Sequence, residues 1–89
     1  MAYDPNNLSA LTYANGFTLW HYKTADLSAD VDTTGYFNEA ANMLRIGDFI
    51  MANTAIDATV SSGVFIVRAN DASGVDVANI SSFGLANTD

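Results

Sequence analysis

The chain has 89 residues, 49% of them hydrophobic and 15% charged, with ten acidic side chains against three basic ones, a formal charge of −7 and no cysteine. That charge repels phosphate backbones and anionic lipid, which excludes nucleic-acid binding, and the missing cysteines exclude a disulfide framework and a thiolate zinc site. No run reaches the roughly 18 apolar residues of a membrane span, and the opening MAYDPNNLSAL lacks the basic start and apolar block of a signal peptide, so synthesis in a cytoplasm without export by that route is expected. One domain of this length buries only about 60 to 65% of the surface its unfolded chain exposes. Because the charged share lies well under the usual value of about 25%, apolar surface is left over, and self-association or docking on a larger assembly is expected.

Residues 1–16, with Pro5, Asn6-Asn7 and a turn at Asn15-Gly16, read as an irregular arm anchored by Leu8, Leu11 and Tyr13. The run Phe17 to Thr24 is rich in β-formers, and neither of its alternating faces is polar throughout. One face would enter the core and the other meet a partner, with Trp20 and Tyr22 as the aromatic pair at that contact. After a turn at Ala25-Asp26, Leu27, Ala29 and Val31 alternate with Ser28, Asp30 and Asp32, the period of a half-exposed strand.

The stretch GYFNEAANMLRIGDFIMAN, Gly35 to Asn53, is the organising unit. Phe37, Ala40, Ala41 and Leu44 stand at the spacing of one helix face, which predicts a helix of about two and a half turns over residues 35–45. Gly47 then breaks the period, Asp48 is placed to accept backbone N–H bonds and fix the turn, and Phe49 to Ala52 suits a strand buried on both faces. Thr54 to Gly63 reads as a polar loop. Residues 64–69, VFIVRA, form a second apolar strand, and Asn70 to Gly74 a hairpin loop leading into an antiparallel strand at Val75 to Val77. Residues 81–89 are small and polar apart from Phe83 and Leu85 and read as a loose tail. The whole is expected to be mainly β: a small β-barrel or sandwich of about five short strands with one short helix, its compact part spanning residues 17–80.

Nothing in this order carries catalysis. His21 is the sole histidine, and no Ser or Asp stands in a motif that marks a nucleophile or its orienter. The spacings Asp71-x-Ser73-Gly74-x-Asp76 and Asp30-x-Asp32 fall short of a calcium loop and read as turn chemistry. No enzyme activity, cofactor or metal is therefore expected.

The opening MAYDPNNLSAL, the strand FTLWHYKTAD, the phrase VDTTGYFNEAANMLRIGDFIMAN and the hairpin FIVRANDASGVDVANI together resemble a group of short virion proteins. Tailed bacteriophages and prophages encode these among their structural genes, as head-fibre, decoration or other small structural proteins. The resemblance covers nearly the whole chain, with its weight on residues 17–53. It implies an accessory virion component present in many copies, made in the bacterial cytoplasm and attached to the outer surface of the phage head, with the major capsid protein or another virion protein as partner. Icosahedral shells offer many three-fold positions, so a homotrimer is the expected state. The alternative is a carbohydrate- or receptor-binding module of a fibre, neck or tail, with Trp20, Tyr22 and Tyr36 as a stacking platform for a host-surface glycan.

Overall fold

The computed structural model describes residues 3–84. The fold is mainly β, with six strands among the described residues forming one sheet, and the sheet stays open rather than closing into a barrel. The strands are β1 (Leu8–Ala14), β2 (Phe17–Lys23), β3 (Phe49–Thr54), β4 (Ser61–Asp71), β5 (Gly74–Val77) and β6 (Ser81–Ser82). Their order is β1-β2-β3-β4-β5, with β6 also on β4, and every pairing is antiparallel except β2 with β3. A parallel pair needs a long crossover. Here it is residues 24–48, which cover one face of the sheet and supply Val31, Phe37, Ala40 and Leu44 to the core.

The first hairpin corrects the expected arm. Asn15 and Gly16 have φ of 54° and 81°, the left-handed pair that matches the twist of a two-residue hairpin, and it pairs β1 with β2 from Ala14↔Phe17 back to Leu8↔Tyr22. Composition hid β1 because it buries almost nothing. Leu11 and Tyr13, expected as anchors, are 54% and 62% exposed. The start of the chain is held instead by Tyr3, whose ring stacks on Tyr22 at 5.8 Å, and by Leu8, which packs against the core.

Two further expectations fall in the crossover. Leu27 to Val31 is no strand: Ser28–Val31 forms a single helical turn, α1. Only Val31 of the alternating set goes inside, while Leu27 remains 56% exposed. The expected helix over 35–45 is a chain of tight turns with one 3-10 turn, Asn38–Ala40. So short a segment gains little from its own hydrogen bonds, and its polar groups bond to the sheet instead. The Gly35 N–H donates to the Val75 carbonyl and the Asn38 Oδ1 accepts from the Val75 N–H, both at 2.8 Å. The Asn70 amide donates to the carbonyls of Ala41 and Leu44, each at 2.7 Å. The apolar spacing survives this change, since Phe37, Ala40 and Leu44 are buried, but Ala41 is exposed.

β4 is longer than the expected 64–69, and β5 pairs with it antiparallel as expected. β5 and β6 lie on the same side of β4, opposite β3, as one edge interrupted at residues 78–80. Gly63 makes this possible: a Cβ there would lie 2.3 Å from the Ser81 carbonyl oxygen. Of the expected loose tail, Ser81–Ser82 is thus a paired strand, whereas Leu85 and the residues after it lie outside the described residues.

Candidate functional site

Alternation divides β2, β3 and β4 into two faces. Thr18, Trp20 and Tyr22 of β2, Ile50, Ala52 and Thr54 of β3, and Phe65 and Val67 of β4 are buried beneath the crossover. Trp20 and Tyr22 are therefore core residues, which corrects their expected place at a partner contact and removes two of the three rings of the expected glycan platform. Tyr22 lies in an aromatic cluster with Tyr3, Tyr36 and Phe37. Its hydroxyl bonds the Tyr36 hydroxyl at 2.9 Å, which in turn donates to Asp26 at 2.6 Å. Burial, then these bonds to Asp26 and Tyr22, push the Tyr36 phenol well above its ordinary range. Burial and the neighbouring Tyr22, Glu39 and Asp4 raise that of Tyr3.

Gly47 and Asp48 occupy the turn expected of them. Gly47 has φ of +95°, a conformation costly for a residue with a Cβ. Its N–H donates to the Val67 carbonyl at 2.8 Å, which joins the turn to β4. The Asp48 side chain is buried and accepts three bonds, from the Thr18 N–H at 3.2 Å, the Trp20 indole N–H at 3.1 Å and the Arg45 N–H at 3.1 Å. One carboxylate thus ties β2 to β3 and sets the Trp20 ring.

The opposite face of the sheet is bare among the described residues. It presents Phe17, Leu19, His21 and Lys23 from β2, Phe49, Met51 and Asn53 from β3, and Ser62, Val64 and Ile66 from β4. The pairings align these side chains in rows, with Leu19 beside Phe49 and Phe49 beside Ile66, then His21 beside Met51 and Met51 beside Val64. Phe17 meets Phe49 edge to face at 5.1 Å. At the centre Phe49 is 40% and Ile66 38% exposed; Phe17, Leu19, Met51 and Val64 are half-buried. β3 is thus not buried on both faces as expected. Its inner face is covered, and its outer face is equally apolar, with none of the described residues packed over it.

Polar groups bound the patch at both ends and are bonded among themselves. At one end the Asn53 amide meets His21 Nε2 at 3.1 Å and its Oδ1 accepts from the Ser62 hydroxyl at 2.6 Å. At the other Arg68 pairs with Asp76 at 2.5 Å. No acidic side chain projects from the apolar centre; Asp71, at the far hairpin, turns back to accept the Ser73 N–H at 2.8 Å. The remaining exposed or half-exposed acids, such as Asp32, Glu39 and Asp57, lie on the crossover and loops. Leu11 and Tyr13, expected at an interface, are exposed on the edge strand β1; Leu8 is half-buried.

His21 serves as a hydrogen-bond partner within a polar row. Among the described residues no group of three or more His, Asp or Glu side chains is placed to hold a metal ion, and no helix is long and apolar enough to cross a membrane. An open polar depression is lined by Asp32, Thr34, Arg68 and Asp76. The bare face was legible in part: the runs Phe49 to Ala52 and Val64 to Val67 are apolar on both faces, but among the described residues one segment covers them, and on one side. Comparisons of the chain with protein-family models, with curated proteins and with solved structures gave no match.

Proposed function

We propose that the chain is a non-enzymatic structural protein of a bacteriophage virion, a decoration or head-fibre subunit attached to the outer surface of the head as a homotrimer. The observation that carries this reading is the bare apolar face. A contiguous patch of six large apolar side chains on so small a domain marks an interaction surface, and it is rigid, being one side of a hydrogen-bonded sheet. The resemblance of residues 17–53 to small phage structural proteins points the same way. The net charge of −7 disfavours contact with packaged DNA and so supports the outer surface. Assembly in many copies supplies what a small, cysteine-free domain lacks, namely further burial of apolar area.

An antibody raised against the purified chain tests this on particles released from cells that carry the gene. The expected result is label on the outside of intact heads, at a copy number divisible by three. Label confined to the cell lysate, with none on purified particles, overturns the virion role; label on tails or on the inside of emptied heads overturns the location.

A further inference from the structure

We propose that the bare face is a seam between copies of this chain, in which Phe17, Leu19, Phe49, Met51, Val64 and Ile66 pack on the same residues of a second copy. This rests on the reading that copies associate and not on where they do so. Three observations select a second copy as the occupant. First, most of the polar groups that bound the patch bond one another, His21 with Asn53, Asn53 with Ser62, and Arg68 with Asp76, while Lys23 stands exposed at one end. The occupant therefore needs an apolar surface without hydrogen-bonding groups at its centre, and the same face of another copy is such a surface. Second, charge is partitioned. In a chain of net charge −7, like-with-like association is opposed by self-repulsion, but the centre of this face carries no carboxylate, and most exposed acids lie on the crossover and loops, away from the seam.

Third, the sheet edges offer no equal alternative. The outward N–H and C=O of Val75 are taken by Asn38 and Gly35, which leaves little of the short β5 edge open, and β1 is interrupted by a bulge between Ala10 and Thr12, a common way of blunting an edge. Packing of faces, at the spacing of about 10 Å seen in sandwiches, is left. The six side chains lie on three strands about 4.8 Å apart and about 17 Å long, a footprint near 250 Å²; with side-chain relief this is roughly 370 Å² per copy, or about 740 Å² in total, the size of a weak contact that dissociates readily.

Sedimentation equilibrium of the purified full chain tests the seam. The wild type is expected to form a closed oligomer that dissociates on dilution. Phe49→Lys is expected to weaken association at least about 100-fold with an unchanged far-UV circular dichroism spectrum, because symmetry brings the new charges near one another. A mixture of Phe49→Lys with Phe49→Asp should recover the oligomer, whereas Leu11→Lys on β1 should leave the mass unchanged. Should Phe49→Lys not fold, wild-type nuclear magnetic resonance spectra on dilution decide, with shift changes expected at β2, β3 and β4 residues of the bare face. A dimer that Phe49→Lys dissolves supports the seam, because one face packed on the same face of a second copy is a two-fold contact, and it overturns the homotrimer; a trimer overturns the seam and leaves the homotrimer standing. A wild type that stays monomeric at several hundred micromolar, or an oligomer indifferent to Phe49→Lys, overturns the seam, and label on phage heads in that case would leave the virion role standing.

Discussion

Phe65 and Ile66 are neighbours in β4, both large and apolar, yet one is fully buried and the other 38% exposed. The same contrast runs through the sheet. Ile50 lies under the crossover and Phe49 does not; Trp20 lies under it and Leu19 does not. A strand alternation shows which residues travel together, and only the rest of the chain shows which set is covered. Among the described residues a single segment, residues 24–48, does so, and its hydrogen bonds to Val75, Asn70 and Val67 commit it to one side. The other side keeps the composition of a core and the exposure of a surface.

The sharpest way to break this comparison is to truncate both neighbours. Phe65→Ala should cost about 3 to 5 kcal/mol, the usual cost of emptying a buried aromatic site, and that is most of the stability of a small domain. Ile66→Ala should cost less than about 1 kcal/mol in dilute solution, where no copy covers the face. Urea unfolding at low and high protein concentration measures both. A loss for Ile66→Ala equal to that of Phe65→Ala, at low concentration, would show that the two faces are not energetically distinct.

Next in size is Asp48→Asn. The substitution keeps the volume but removes the charge and turns one acceptor into a donor, which then faces the Thr18 N–H on one side or the N–H groups of Trp20 and Arg45 on the other. Bonds to a charged group contribute about 1.5 to 3 kcal/mol each and a buried donor left without an acceptor costs a similar amount, so a loss of about 2 to 4 kcal/mol is expected. The near-ultraviolet signal of Trp20 should change with it. No polar group on the bare face should approach this; Asn53→Ala, which breaks the His21 and Ser62 contacts, is the control. Gly63→Ala follows, at about 1 to 3 kcal/mol, the typical cost of overpacking. Its Cβ meets the Ser81 backbone carbonyl first and the Ile80 side chain next, so β6 must move off β4, and hydrogen exchange should report faster opening of residues 80–83.

How far these features were legible follows from where each signal resides. The turn at Gly47, the acceptor role of Asp48, the strands β2, β3 and β5 and the set Phe37, Ala40 and Leu44 are local matters of spacing and turn chemistry, and they were readable. β1 was not, because LSALTYA has no buried face to impose an apolar period; only Asn15-Gly16 announced its hairpin. Leu27 to Val31 shows the converse, an alternation that one helical turn accommodates because a single residue of it is buried. The crossover's lack of a regular helix depended on Asn70 and Val75, more than 25 residues away in the chain, and no local pattern encodes such partners. The same applies to Trp20 and Tyr22, whose face could be assigned to core or partner only once the crossover had chosen its side.

The smallest effect is expected in alkali, and it too separates the faces, because the shifted phenols belong to the covered layer. Tyr36 is held protonated by burial and by the bond it donates to Asp26. In the unfolded chain its proton leaves near the ordinary value of 10.0, while in the folded chain it stays until the pH is far higher. Above pH 10 the unfolded state thus binds fewer protons than the folded one, and stability must fall as pH rises; below pH 10 the contribution is complete and constant. Tyr3, raised for the same leading reason, adds to the slope. Tyr36→Phe should cost about 1 to 2 kcal/mol at pH 8 through its two lost hydrogen bonds, but its stability should decline less steeply than that of the wild type between pH 10 and about 11.5. Urea midpoints for the two proteins should therefore converge across that interval. Parallel curves would mean that the Tyr36 proton is lost as readily from the folded chain as from the unfolded one, and that the covered layer does not hold it.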